Sequence, residues 1–290
     1  MPQKIHNMYI WILVITAILT VFSFYAISKL PDGKTHVWFL DVGQGDAIFI
    51  QTPKGNQILV DGGPGSSVIQ ELGAVMPFWD HTIDLVVMTH PDADHINGLL
   101  DVLGRYHVAQ SIETGIGCET DQCQFWEKLI KQEDAIRHYV SLGYKIESSD
   151  GVSFDILHPF ENQNNQSVSK KNNSSVVSKM VYGENELLLT GDIEKQVENK
   201  LALSGIDIKS DLLKVAHHGS KTSTTEQFVK TIKPQLAFIS VGAENRYGHP
   251  TEQTLNTLEN LGVKYYRTDI DGRVELVLSE DNYMIKKTGK

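Results

Sequence analysis

The run His90-Pro91-Asp92-Ala93-Asp94-His95 places two imidazoles and two carboxylates within six residues. Both donor types bind Zn²⁺ and Mn²⁺, and a carboxylate has two oxygens with which to span two ions. One short segment of this kind can grip adjacent cations from different sides, and cations so held support hydrolysis by polarising a substrate and activating water. A solvated acidic turn with two incidental histidines is the alternative, and it leaves the donor density unexplained.

The elements around the run must hold it still. Asp84 to Thr89 (DLVVMT) reads as a buried strand that ends on the motif, and a helix is expected from Ile96 to Leu103. The motif is therefore expected on the loop leaving a strand. Upstream, strand-like runs at His36 to Val42, Ala47 to Gln51 and Gln57 to Val60 alternate with turns at Gly43-Gln44-Gly45 and Pro53-Lys54-Gly55, a β-meander opening followed by helical periodicity from Ser66. Residues 112–140 look like a peripheral insertion, and Glu161 to Ser178 reads as a long polar loop. Downstream, strands are expected at Ser175 to Tyr182, Glu186 to Leu189, Asp211 to Ala216, Gln235 to Val241, Val263 to Arg267 and Arg273 to Leu278. Helices should follow Asp192, Thr224 and Thr251. Two β-rich halves flanked by helices imply an α/β, four-layer sandwich with two sheets inside, one domain over residues 34–290.

The chain has 290 residues, 41% of them hydrophobic, with a formal charge of -10 and a pI near 5.5. That balance argues against a general nucleic-acid binder, because Lys and Arg supply most nonspecific affinity for phosphates, so any nucleic-acid contact must be local. Met8 to Ile27 carries no charge over twenty residues, enough to cross a bilayer's hydrocarbon core of ~30 Å. Trp11 and Tyr25 suit its two interfaces, with Lys4 and Lys29 outside. Ala26-Ile27-Ser28 resembles a cleavage site, but the apolar run exceeds the usual signal-peptide length, so residues 1–33 are read as a membrane anchor and linker. The catalytic domain is expected outside the cytoplasm, where the only two cysteines, Cys118 and Cys123, could form a local disulfide.

The motif resembles the HxHxDH signature of the metallo-β-lactamase superfamily, and more closely its variant in the C-terminal domain of the ComEC family of DNA-uptake proteins. FLDVGQGDA (39–47), LVDGG (59–63), THPDADHINGL (89–99), LLTGDIE (188–194), LLKVAHHGSKTS (212–223), SVGAENRYGHP (240–250) and YRTDIDG (266–272) are similar to that subfamily in the same order. The resemblance implies an αββα metallo-β-lactamase sandwich holding two divalent ions, zinc or manganese. His90 and Asp92 would face the first ion, Asp94 and His95 the second, and Asp192 would bridge them. The last ligand falls on His218, with His217 as competitor. Asp61 would orient ligands from behind, and Asp94 or Asp192 would orient the attacking water. His249, Ser220, Lys221 and Asn172 would meet the substrate. Asp41, Gln44 and Asp46 are read as turn residues only.

Two departures from the superfamily pattern matter. Asp92 stands where most members have histidine, which shifts that site toward oxygen donors and so toward Mn²⁺ or Mg²⁺. The third-motif histidine is also missing, since the corresponding stretch reads Lys171-Asn172-Asn173-Ser174, and His158 nearby is expected to be structural. The first site is thus expected to be the weaker. The implied function is metal-assisted hydrolysis of phosphodiesters, including single-stranded DNA during uptake, with a channel protein as a possible partner. A cell-envelope esterase and a non-catalytic DNA- or channel-binding module are the rivals, because the fold alone does not fix the substrate.

Overall fold

The computed structural model describes residues 3–289. Helix α1 (Gln3–Ser28) leads into strands β1 (Thr35–Phe39), β2 (Ile48–Gln51) and β3 (Gln57–Val60). Then come α2 (Ser67–Val75), β4 (Thr82–Val87), α3 (Ala93–Leu103), β5 (His107–Glu113), α4 (Asp121–Glu133), β6 (Ile136–Tyr139), β7 (Lys145–Glu147) and β8 (Val152–His158). The second half holds β9 (Val177–Tyr182), β10 (Asn185–Leu189), α5 (Lys195–Leu203), β11 (Leu212–Lys214), α6 (Glu226–Ile232), β12 (Leu236–Ile239) and α7 (Glu252–Asn260). Last are β13 (Lys264–Arg267), α8 (Thr268–Asp271), β14 (Val274–Leu278) and β15 (Tyr283–Lys287).

The strands form an eight-stranded sheet, ordered β15-β14-β1-β2-β3-β4-β5-β6, and a seven-stranded sheet, β13-β12-β11-β10-β9-β8-β7. Their inner faces pack together, and the rings of Phe39 and Phe238 stack across the gap with centroids 4.1 Å apart. Outside the first sheet lie α2, α3 and α4, which bury Leu72, Ile96, Leu99 and Trp126 against it. Outside the second lie α5, α6 and α7, which bury Leu201, Phe228 and Leu258. Each such side chain contributes roughly 1.5–3 kcal/mol by leaving water. The four-layer expectation is met. The two halves are not separate in sequence, however, because β14 and β15 return to the first sheet beside β1.

Two expectations need correction. Residues 112–140 are not a peripheral insertion: β6 pairs in parallel with β5, and Trp126 and Ile130 of α4 are fully buried in the layer beneath. The Gln- and charge-rich composition there reflects α4's solvent face. The helix expected from Ile96 begins at Ala93, so the motif is split between a loop and the first turn of α3. Asp92, at the N-cap, is a common helix-start residue, which explains the earlier start.

Helix α1 is not part of the sandwich. Its segment Asn7–Ser28 is 22 residues long and strongly apolar, and none of its residues is buried within the protein. The side chain of Lys4 lies outside the described residues. Cys118 and Cys123 are joined in a disulfide with Cα atoms 5.2 Å apart, tying the loop before α4 to its first turn.

Candidate metal centre

Strands β3, β4, β10, β11 and β12 are mutually parallel within their sheets where they adjoin (β3 with β4, and β10 with β11 and β12). Parallel strands deliver the residues that follow them to one rim, and rims at strand carboxyl ends are where α/β folds bind ligands. Asp61 follows β3, His90 to His95 follow β4, Asp192 follows β10, His217 and His218 follow β11, and Ser240 follows β12.

The LVDGG turn seats α3. A Cβ on Gly98 would fall 1.8 Å from the Gly62 carbonyl oxygen, so the helix and the turn meet backbone to backbone. Gly62 N donates to His95 O at 2.8 Å and Gly98 N to Gly63 O at 3.0 Å. That contact brings the buried Asp61, with φ +57°, beneath His95. Its Oδ1 accepts from Thr89 N (2.8 Å), and its Oδ2 accepts from Thr89 Oγ1 (2.7 Å) and His95 Nδ1 (2.8 Å). With Nδ1 engaged as donor, His95 turns Nε2 toward the rim, the arrangement metal-binding histidines generally need.

Asp94, His95, Asp192 and His218 offer ligand atoms that all lie within 4.8 Å of one another. Asp192 Oδ2 is 3.3 Å from both His95 Nε2 and His218 Nε2, and Asp94 Oδ2 is 3.3 Å from His218 Nε2. None of these approaches has hydrogen-bond geometry: His90 Nε2, His95 Nε2, His218 Nε2 and Asp192 Oδ1 are all buried without a partner. Unsatisfied buried polar atoms each cost about 1–3 kcal/mol, so four on one rim demand a ligand. A divalent cation fits that donor set of imidazole nitrogens and carboxylate oxygens.

The electrostatics agree. Burial works against a charged Asp192, but His218 and His95 hold its carboxyl well below the usual range. For the same reason His95 and His218, despite burial, are pushed well above an ordinary imidazole by Asp192 and by Asp61 and Asp46 respectively. Protons on these rings or a cation between them satisfy the same demand. Asp94 is lowered to about 2, burial being outweighed by His218 and His95. His90 is pushed down to about 3 by burial and by His95.

The two consecutive histidines occupy left-handed backbone, φ +50° at His217 and +53° at His218, a conformation costing on the order of 1 kcal/mol or more per residue. His218 is buried, with Nδ1 donating to Ser240 O at 3.0 Å. His217 is partly exposed, with Nε2 3.9 Å from Asp192 Oδ2 and its ring against Asn172 and Thr222. Of the two, it is His218 that joins the tight cluster.

Asp46 is more than a turn residue. It is buried, with Oδ1 3.2 Å from His218 Nδ1 and Oδ2 2.7 Å from Nζ of the fully buried Lys214. Lys214 also donates to Val215 O at 2.9 Å. Neither role was read from the sequence, although a lysine inside the apolar strand LLKVA is the signal that could have found it. Ser175 was missed as well: its Oγ accepts from Asp192 N (3.1 Å) and lies 3.3 Å from His90 Nδ1.

The remaining candidates form a looser ring. His90 Nε2 is 3.8 Å from Asp92 Oδ2, and its ring centroid is 4.1 Å from that of His95. Asp92 is half exposed beside Lys171, and burial raises its carboxyl. Asn172 places Nδ2 3.2 Å from His217 Nε2. His249 stands with its ring centroid 5.7 Å from that of His217 and its Nδ1 unpartnered, lowered to about 4 by burial and by His217 and His218. Ser220 is buried with its hydroxyl 3.1 Å from that of Thr222, and Lys221 is exposed. His158 lies behind the rim, its Nδ1 donating to Ser175 O at 2.8 Å.

Comparison with known proteins accords with this geometry. The family model described as the metallo-beta-lactamase superfamily matches residues 40–243. The chain belongs to the metallo-β-lactamase superfamily. This metallo-β-lactamase chain is 32% identical over 276 residues to ComE operon protein 3 of Bacillus subtilis, covering 88% of this chain and 34% of the relative. It is 28% identical over 262 residues to competence protein ComA of Neisseria gonorrhoeae, covering 90% and 35% respectively. The chain thus spans about a third of the length of these relatives. Among solved structures, CmlA, a diiron β-hydroxylase from Streptomyces venezuelae, superposes with a TM-score of 0.54 at 15% identity, over 84% of this chain and 54% of that one. That likeness bears on the fold alone.

Proposed function

We propose that the chain is a metal-dependent phosphodiesterase acting on a nucleic-acid strand, with its domain outside the cytoplasm. The observation that carries this is the rim cluster of Asp94, His95, Asp192 and His218, whose unsatisfied atoms suit a divalent ion. Those four would hold the tighter ion. His90 and Asp92 would hold a second with Asp192 shared, more weakly, because the stretch Lys171-Asn172-Asn173-Ser174 stands where the family pattern has a histidine. Bound ions would supply Lewis acidity to the scissile phosphoryl group and lower the pKa of water.

The protein's own groups do the rest. Asp192 and Asp94, ionised at neutral pH, accept hydrogen bonds from the attacking water and orient it. His249 is neutral at that pH and offers an N–H to a substrate oxygen at the mouth of the site. Asp61 and Ser240 O fix the rings of His95 and His218. A chain of net charge -10 can meet phosphates through its ions and a few local contacts, and its likeness to proteins named for competence supports nucleic acid as the substrate. The disulfide supports the location, since such bonds persist in oxidising compartments. The anchored α1 favours one alternative, a cell-envelope ester or phosphodiester.

Full-length protein in detergent, assayed with Mn²⁺, Mg²⁺ and Zn²⁺, tests this. We expect turnover of a chromogenic phosphodiester and of single-stranded DNA, lost on chelation. Metal-loaded protein that cleaves a lactone or choline phosphodiester but no DNA would move the assignment to the envelope substrate.

A further inference from the structure

We infer that the loop carrying Phe78 and Trp79 is a second membrane contact, an aromatic prong seated in the bilayer interface beside the last turns of α1. This rests on reading α1 as a membrane span, and the experiment below separates the two.

Between α2 and β4 the chain passes Met76-Pro77-Phe78-Trp79-Asp80. Met76 is buried in the core layer beneath α2, so the loop's base is fixed. Its tip is not: Phe78 is 60% exposed and Trp79 44%. Among the described residues, the aromatic surface these rings meet across the chain is that of the helix. Phe78 lies 6.1 Å from Phe22 and 6.0 Å from Tyr25 between ring centroids, and Trp79 lies 6.1 and 5.9 Å from the same two. Four aromatic rings therefore form one cluster, half on the span and half on the folded domain.

That placement sets the depth of the prong. Phe22 precedes the helix end at Ser28 by six residues, or about 9 Å along the axis. A span that ends near Ser28 thus brings Phe78 and Trp79 level with its final turn and a half, the zone where Trp and Tyr concentrate in membrane proteins. Lys29 fixes the geometry from the aqueous side, with Nζ donating to Ala74 O (2.9 Å) and Val75 O (3.3 Å) at the end of α2.

Next to this junction a cavity of about 530 Å³ is lined by Lys29, Arg273, Lys286 and Lys287, together with the acids Asp32 and Glu275. Arg273, Lys286 and Lys287 are paired there with Glu71, Glu275 and Asp271, a balanced, mixed-charge surface that suits zwitterionic phospholipid headgroups better than an apolar protein partner. Two large exposed aromatics contiguous with a membrane span have the same preference, because an interface accepts both their apolar faces and the indole N–H.

The test uses the full chain in phosphatidylcholine vesicles whose acyl chains are brominated near the headgroup. The protein has four tryptophans, of which Trp38 and Trp126 are buried in the core. Trp11→Phe leaves Trp79 as the accessible reporter, and Trp79→Phe leaves Trp11. We expect brominated lipid to remove up to about one third of the emission of the Trp11→Phe protein, one of three remaining indoles, and clearly less from the Trp11→Phe/Trp79→Phe double variant, whose Trp38 lines the neighbouring cavity. Quenching of Trp11 but not of Trp79 overturns the prong and leaves the span standing. Quenching of neither overturns both.

Discussion

Asp192 faces three imidazoles with one carboxylate, so the site's response to substitution should be uneven. Asp192→Ala and His95→Ala are expected to abolish hydrolysis and to reduce bound metal below one ion per chain, because each opens the tight cluster. His90→Ala should instead be graded, with activity partly restored at high Mn²⁺, since the ring it belongs to is looser. Metal analysis beside turnover reads this, and equal losses in all three would mean a symmetric pair of ions. Behind the rim, His158 is pushed down to about 4 by burial, against 6.5 for an ordinary imidazole. Its contribution to stability is therefore complete above pH 6.5 and is lost as pH falls toward 4, up to roughly 3 kcal/mol. The gap in urea midpoint between wild type and His158→Asn should shrink from pH 7.5 to pH 5, whereas a constant gap would mean that His158 does not titrate in that way. At this scale the spacing of HPDADH advertised its chemistry. Lys214 inside LLKVA hints at a buried charge but not at its partner Asp46, because a buried ion pair is a property of two strands meeting, and neither residue's neighbours in sequence disclose the other.

Helix α3 carries Asp94 and His95 and is held by a backbone contact that tolerates no side chain. Gly98→Ala would drive a methyl group into the Gly62 carbonyl, and the helix must move to admit it. The expected result is a protein that still folds but binds metal at least about tenfold more weakly, the scale on which misplaced supporting groups act. Calorimetric titration with Mn²⁺ checks this, and unchanged affinity would show that α3 has slack. The disulfide before α4 behaves differently. Cys118→Ser/Cys123→Ser should cost about 2 kcal/mol, from the short loop it closes, and leave turnover intact because neither cysteine belongs to the cluster of Asp94, His95, Asp192 and His218. A loss of activity equal to the loss at Asp192 would contradict that separation. Most elements could be read from period and turn residues. The failures were local: α4 and β6 looked peripheral because their polar faces dominate the composition, and the three-residue β7 is too short to show a period. The return of β14 and β15 to the first sheet depends on long-range pairing that no window of sequence contains.

Across the whole molecule, a folded sandwich hangs from one apolar helix, and full-length protein should stay in the pellet after a carbonate wash. Release of an intact, mature chain beginning near Lys29 would count against the anchor. The directions of two strands now acquire a meaning. β1 begins at Thr35, just beyond the helix, and runs toward Asp46 at the rim; β4 begins beside the Phe78-Trp79 loop and runs toward His90. Both start at the end of the sandwich beside α1 and finish at the rim of the candidate metal site, and the six residues of β4 alone span about 20 Å. With α1 in a bilayer, as proposed above, the rim would look away from the lipid, like a tool held at arm's length. A substrate that keeps its tails in the membrane would then not reach it, whereas one that arrives through water, such as a passing polymer strand, would.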